Sequence, residues 1–423
     1  MLSILFGLFG LAVLVGIAWL FSAQKSAVDW RLVVTGIGLQ LVFAVLVLLT
    51  PWGATLFGWL SEGFVALLGF TAQGSQFIFG DFARADKFGF VFAFQVLPTI
   101  IFFAAFMSVL YHLGIMQWVV KGMAWVITKV MNVSGAETLS VCANAFIGQT
   151  EAPLVVKPYI LRMTQSELLA LMVGGMATIA GGVLGAYVQM LGGADTAQQL
   201  FFAKHLMAAS IMAAPATLVI AKILYPETEQ PLTRGEVRME VEKVTANVID
   251  AAASGAADGL KLALNVGAML LAFIALIALV NAPLTWIGDI SGLAEMLGKP
   301  TNLANLLGFV LAPIAWLIGV PWGDAVTVGG LIGEKVVLNE FVAYAHLSEI
   351  KATLSPQAAL ISTYALCGFA NFSSIAIQIG GIGGIAPERR ADLARFGLKA
   401  VLGGSLATFM TATIAGVLSQ FAG

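Results

Sequence analysis

The sequence predicts an all-α polytopic membrane protein. It should have about eight transmembrane helices, two re-entrant helical hairpins, interfacial helices, and an inverted repeat with two broken helices. Three observations predict this class. Hydrophobic residues make up 59% of the 423 residues and charged ones 10%, with mean hydropathy +0.94. A soluble domain carries roughly a quarter charged residues, so this chain lacks the polar surface to cover a water-facing exterior. Apolar runs long enough to span recur along the chain, and polar residues interrupt them at matched places in two halves.

The first run, LSILFGLFGLAVLVGIAWLF, differs from a secretion signal. A signal peptide starts with positive charge and ends its short apolar core at a small-residue cleavage site. Here Lys25 and Arg31 follow the apolar run instead, which fits a retained spanning helix with its N-terminus outside. Further spans are expected near 33–50, 89–111, 166–191, 198–224, 260–282, 356–380 and 396–420. The stretch 53–80, with Trp59, Phe64, Phe70, Phe77 and Phe79 among several glycines, reads as too broken to span and interfacial. So does 115–131, whose two lysines share a polar stripe. With this topology Lys121, Lys129, Lys157, Arg162, Arg234, Arg238, Lys243, Arg389, Arg390 and Arg395 join Lys25 and Arg31 inside. Chiefly Arg84, Lys87 and Lys299 stay outside, which agrees with the positive-inside bias. The charged connector 226–250 is then expected as a solvated inner loop.

Composition also excludes several kinds of chemistry. A net charge of −2 gives no electrostatic basis for nucleic-acid binding. Cys142 and Cys367 lie in separate apolar segments with no metal-ligand spacing, so buried free thiols are expected. His112, His205 and His346 are far apart, which gives metal hydrolysis no support. An intramembrane hydrolase using Glu151 and Glu340 as acid and base would lack any activated Ser or Cys arrangement. No enzyme is therefore expected. A passive pore is distinguished from a carrier by saturable, gradient-dependent accumulation.

The repeat pairs MAWVITKVMNVSGAE (123–137) with LAPIAWLIGVPWGDA (311–325), each an apolar interfacial helix, a turn and an acid. Glu151 and Glu340 then stand 189 residues apart, and the helix starts at 164 and 355 are 191 apart. The polar interruptions TIAGG at 178 and FANFSS at 369 are also 191 apart. Within 135–163, GQTEAP would put Gln149, Thr150 and Glu151 at mid-depth and Pro153 inside a single span. A re-entrant hairpin avoids both problems. The chain turns at GQT, proline in a first turn loses no bond, and Thr150 or Glu151 can cap the descending half. Asn339 and Glu340 open the matching half-helix EFVAYAHL. Irregular backbone at membrane depth is tolerated only where protein or a water-filled cavity satisfies it. Paired hairpins and broken helices point to a secondary transporter with its substrate near the midplane.

The candidate site follows from these positions. A carboxylate at a hairpin tip in lipid costs at least about 2.5 kcal/mol on insertion scales. Glu151 and Glu340 are therefore the sharpest residues, although each could instead cap its own half-helix. Gln149, Thr150 and Glu151 offer donors and acceptors suited to a heteroaromatic ring edge. Glu340, Asn371 and Ser374 suit vicinal hydroxyls of a sugar, while Asn371 could instead satisfy the carbonyls of its break. Spacing alone leaves Phe369 in the core. Near Asn144 and Ile147 the first half-hairpin ends against TIAGG, where carbonyls and the Thr178 hydroxyl could hold sodium. Thr178 could equally bond back to its own helix, and spacing leaves both readings open.

At GQTEAPLVVKPYI, TIAGGVLGAY, NEFVAY and CGFANFSSIAI the chain closely resembles the sodium-coupled branch of the concentrative nucleoside transporter family, over nearly its whole length. The resemblance implies a homotrimer in the bacterial cytoplasmic (inner) membrane that imports nucleosides such as uridine by an elevator motion. It implies scaffold helices in 1–114, a first transport repeat in 115–225, a loop and long scaffold helix in 226–302, and a second transport repeat in 303–423. It implies that Gln149, Thr150 and Glu151 contact the base, with Val183 beside it. Glu340, Asn371 and Ser374 would hold the ribose, with Phe369 next to the site. Sodium would take the carbonyls of Asn144, Ile147 and Thr178 and the Thr178 hydroxyl, as coupling ion, with no other cofactor. Proton-coupled relatives often replace the threonine of TEAP and lack its proline, so TEAP favours sodium; proton coupling, or another small polar solute, is the alternative.

Overall fold

The computed structural model describes residues 2–237 and 245–421. Among them the only β pairing is an isolated bridge between Ser134 and Arg234. Arg238 and Lys243, placed inside by the charge pattern, lie outside the described residues. The N-terminal part runs α1 (Leu2–Leu20), α2 (Trp30–Leu48), α3 (Pro51–Phe79), α4 (Ala85–Phe88) and α5 (Phe92–His112). Next come α6 (Ile115–Met131), α7 (Gly135–Asn144), α8 (Lys157–Ile160), α9 (Gln165–Ala177), α10 (Gly181–Gly192) and α11 (Thr196–Leu224). A long α12 (Val248–Ser291) and short α13 (Leu293–Leu297) precede α14 (Leu303–Leu317), α15 (Trp322–Val337) and α16 (Glu340–Ile350). The chain closes with α17 (Pro356–Ala365), α18 (Phe372–Ile385) and α19 (Arg390–Leu418).

Short polar side chains start these helices by satisfying otherwise unpaired amides. Asp29, Thr50, Asp195, Asn247, Asn302, Asn339, Ser355 and Asn371 each accept from the first turn they precede. Thr164 and Glu167 close a reciprocal box at the head of α9, with bonds of 3.1 and 2.8 Å.

Among the described residues eight helical stretches are long and apolar enough to cross a membrane, the number expected from the sequence. Their membership differs in two places. Residues 53–80 are not broken: α3 is one unbroken helix, and Pro51–Phe88 qualifies as a span on length and composition. Gly58, Gly63, Gly69 and Gly74 look onto open space and leave its ladder intact. The run 356–380 is instead two helices, α17 and α18, separated by an irregular stretch before Phe372. The expected span at 260–282 is the middle of the 44-residue α12. Most of α9, α10, α11 and α19 is buried, whereas α3 and α12 expose most of their apolar surface.

The connector after α11 is exposed over most of its described part, as expected, but is anchored to the body at two points. Lys222, buried near the end of α11, draws Glu227 to 3.2 Å and Glu137 of α7 to 2.8 Å. Thr233 is buried against Ser134 at 2.8 Å. A buried ammonium needs close counter-charge or well-placed carbonyl partners; Glu227 meets that need here, and Thr233 gives the connector its second anchor.

The repeat is visible as one order of elements, with α6 to α11 in the first copy and α14 to α19 in the second. The copies are inverted. The amide of Ala23, past the end of α1, donates to Leu224 O at the end of α11 (2.9 Å). Gly7, near the start of α1, lies against Val417 at the end of α19. At 1.5 Å per residue these two ends are roughly 20 Å apart, so the last helices of the copies run oppositely.

Candidate functional site

Each copy folds its middle into a hairpin. The chain enters α7 at Ser134 and returns to Glu167, whose carboxylate accepts from Ser134 Oγ at 2.5 Å. In the second copy Ser355, after α16, donates to Asp324 at the start of α15 (2.6 Å). The first mouth adjoins Lys222 and so the Leu224 end. The second adjoins Gly319, which packs on Ile361 together with Gly416 near the end of α19, the end that meets Gly7 of α1. The hairpins therefore enter from opposite ends and their tips point inward.

At the first tip α7 stops at Asn144, and the amides of Glu151 and Ala152 both donate to Gly148 O (3.1 and 3.0 Å). The descending half opens as a 3-10 turn over Ala152–Val156 before α8, and no side chain caps it. The expected cap by Thr150 or Glu151 is thus not made. Thr150 Oγ donates instead to Glu151 Oε1 (2.8 Å), and the exposed carboxylate lies over Gly148, where a Cβ would come within 2.2 Å of it. With both side chains bonded to each other, neither is left to close the turn.

Gln149 turns inward. Its Nε2 donates to Ser374 Oγ (3.1 Å), and its Oε1 accepts from Gln378 Nε2 (3.0 Å), which also donates to Met172 O (3.0 Å). At the second tip Asn339 caps α16 through Val342 N (3.0 Å), so Glu340 is released from capping. Glu340 is 3% exposed; its carboxylate accepts from Tyr187 OH at 2.9 Å and from Asn371 Nδ2 at 3.0 Å. Asn371 Oδ1 accepts from Ser374 N (2.8 Å), which caps α18. A single hydrogen-bonded chain thus runs Tyr187–Glu340–Asn371–Ser374–Gln149–Gln378 across both copies.

A cavity of about 1510 Å³ opens onto this chain. Gln149, Thr150, Glu151, Val183, Glu340, Phe369, Asn371 and Ser374 all line it, as does Ile147. Lys121 and Lys157 also line it. Asn144 and Thr178 lie behind the wall, fully buried or nearly so. The first tip meets the TIAGG break through Gly181 N, which donates to Phe146 O at 2.8 Å. Among the described residues no hydrogen bond ends on the carbonyls of Asn144 or Ile147. Thr178 Oγ gives its proton to Gly174 O (2.9 Å), which leaves its lone pairs for a cation. This oxygen set fits a hard ion such as sodium.

Sequence reasoning missed Tyr187 and Gln378. Each is a large hydrogen-bonding side chain in a mostly apolar helix, the signal that could have found them. Cys142 and Cys367 are buried free thiols, as expected.

Inverted repeats with facing hairpin tips, broken helices and a polar-walled cavity define a polytopic membrane transporter. Family models agree: "Na+ dependent nucleoside transporter C-terminus" matches residues 205–416, its N-terminal counterpart 9–82, and the nucleoside recognition "Gate" model 93–194. The chain belongs to the concentrative nucleoside transporter family, whose members transport and are not enzymes. It is 46% identical over 418 residues to YutK, an uncharacterized transporter of Bacillus subtilis (strain 168), across 98% of this chain and 100% of that one. It is 42% identical over 425 residues to sodium/nucleoside cotransporter 1 of Mus musculus, covering 97% of this chain and 63% of that protein. Among solved structures, CNTnw in an inward-facing substrate-bound state superposes with TM-score 0.89 at 44% identity, covering 99% and 100% of the two chains. A doubly substituted CNTnw in an outward-facing state gives 0.90 at 43% identity, covering 100% and 99%.

Proposed function

We propose that the chain is a sodium-coupled symporter that imports nucleosides, uridine among them, by elevator-type alternating access. The observation that carries this reading is the polar chain from Glu340 to Gln378 on the cavity wall. It sets a carboxylate, an amide and a hydroxyl for ribose hydroxyls beside two amides for a base edge. Gln149, Thr150 and Glu151 would bind the base with Val183 beneath it. Glu340, Asn371 and Ser374 would bind the ribose next to Phe369. A nucleoside that enters replaces the Gln149–Ser374 bond with bonds of its own, which suits a site that is polar yet satisfied when empty.

Sodium would bind the carbonyls of Asn144, Ile147 and Thr178 and the Thr178 hydroxyl. It would join the first tip to the TIAGG break and so fix Gln149. The hairpins and broken helices would then move as a body past a scaffold that includes α3 and α12. Helices α1 and α2, grouped with the scaffold by sequence order, would travel with the moving part, since Gln40 bonds to Thr411 (3.0 Å) and Gly36 packs on Val219. The exposed apolar faces of α3 and α12 would meet lipid and the other copies of a homotrimer in a bacterial inner membrane. One charge crossing 100 mV supplies about 2.3 kcal/mol, or roughly fifty-fold accumulation at one ion per substrate.

Purified protein in liposomes should accumulate labelled uridine only under an inward sodium gradient. Equal uptake under a proton gradient without sodium would establish the proton-coupled alternative, and uptake of other small polar solutes but no nucleoside would overturn the substrate.

A further inference from the structure

Lys335 has no part in the site described above, yet it is among the most deeply enclosed side chains in the protein, at 0% exposure. It sits near the end of α15, and among the described residues no carboxylate lies within ion-pairing distance. Its ammonium donates to Ala365 O at 2.9 Å and Thr408 Oγ at 3.2 Å, and lies 5.9 Å from the centre of the Phe409 ring. Ala365 is the last residue of α17, the half-helix that ends at the second break. A helix C-terminus carries about half a negative charge in its unpaired carbonyls, which is where a cation without a carboxylate is stabilised.

The two breaks differ in how those carbonyls are satisfied. At the end of α17, Ser362 O accepts from Leu366 N, Thr363 O from Tyr344 OH, Tyr364 O from Cys367 N, and Ala365 O from Lys335. At the end of α9, among the described residues, no hydrogen bond ends on the carbonyls of Gly175, Met176 or Ala177. Lys335 also follows Asn144 by 191 residues, the spacing that relates the helix starts of the copies. Where the first copy places an open ligand set at its hairpin end, the second places a covalently attached cation.

We propose that Lys335 is a tethered cation, its ammonium standing at the broken helix of the second repeat where the cotransported sodium stands in the first. The proposal rests on the sodium reading above and extends it. The ribose half of the site, built on Glu340 and Asn371, is permanently ordered by Lys335. The base half, built on Gln149, waits for an ion. Lys335 is a positioning residue that acts through α17 and the second tip.

Calorimetric titration of uridine into the purified full-length protein across a sodium series tests this, with Lys335→Ala and Lys335→Met beside wild type. Lys335→Ala leaves room for a free ion. Its uridine affinity should fall about tenfold or more at low sodium, the loss expected when a charged hydrogen bond goes. It should recover as sodium rises, with the Hill coefficient for sodium increasing by about one. Lys335→Met fills the space without charge and should stay weak at every sodium concentration. Affinities within about twofold of wild type for both variants, on the usual scale of a silent change, would overturn the proposal. So would a loss in Lys335→Ala that sodium does not reverse, or failure of both variants to fold at any sodium concentration. Wild-type protein indifferent to sodium would refute coupling alone, because Lys335→Met against wild type would still decide the role of Lys335.

Discussion

The amide of Phe369 donates to the carbonyl of Thr178 at 3.4 Å, so the breaks of the two inverted helices touch each other. Backbone freed from one helix is thereby partly satisfied by backbone freed from the other, which is how non-helical segments persist far from water. The contact also places the polar residues of both copies around one cavity, and the consequences are testable.

Glu340→Ala should abolish measurable uridine binding while the protein stays folded. The substitution removes the acceptor of Tyr187 and Asn371. Leaving those buried groups unpaired costs about 1–3 kcal/mol each in stability, read as a lower midpoint in thermal unfolding in detergent. Near-normal binding in calorimetry would remove Glu340 from the site.

Gly175→Ala tests whether Gln378 positions Gln149. Its methyl would come within 2.5 Å of Gln378 Nε2 and 3.0 Å of Gln149 Cβ. Displacing the buried Gln378 amide from its bonds should lower stability by about 1–3 kcal/mol. Gln149 then loses its orienting amide, and uridine affinity should fall about tenfold. Unchanged affinity would mean that Gln378 does not position Gln149.

Lys222→Met should destabilise the protein by about 3–5 kcal/mol, the cost of stranding buried carboxylates. Glu137 is nearly inaccessible and among the described residues keeps no other cation, and Glu227 loses its anchor. Thermal stability in detergent reads the loss, and protease cleavage between 226 and 237 should accelerate. A midpoint within a degree or two of wild type would show that the charged cluster is dispensable.

The first hairpin can be placed relative to the bilayer by labelling. Cysteines introduced at Lys129→Cys and Arg162→Cys, both exposed, should react with an impermeant maleimide from one and the same side. Lys87→Cys should react from the other. Reaction of the first two from opposite sides would make 135–163 a single crossing and remove the basis of the transport reading.

Much of this architecture was legible in the sequence because lipid imposes local rules. Run length, Lys and Arg asymmetry and polar breaks each report on a few neighbouring residues, and they located the hairpins, the repeat and six of the eight expected cavity-lining residues, while Val183 and Phe369 entered only through the family resemblance. The reading failed where neighbours decide. Gly58, Gly63, Gly69 and Gly74 looked like breakers, yet they face open space and α3 runs through them. Most of 226–237 is exposed as expected, but no local signal marks Glu227 as the partner of Lys222 or Thr233 as buried against Ser134.

By itself the sequence determined which segments leave water, where they reverse, and which polar residues accompany them into the interior, because each is set by the cost of local backbone and charge in an apolar medium. Only the tertiary structure decided which polar groups meet. Gln149 and Ser374 are 225 positions apart, and Tyr187 and Glu340 are 153 apart. No local propensity encodes such pairs; they form when two oppositely directed copies are packed together and every buried donor has to find its acceptor.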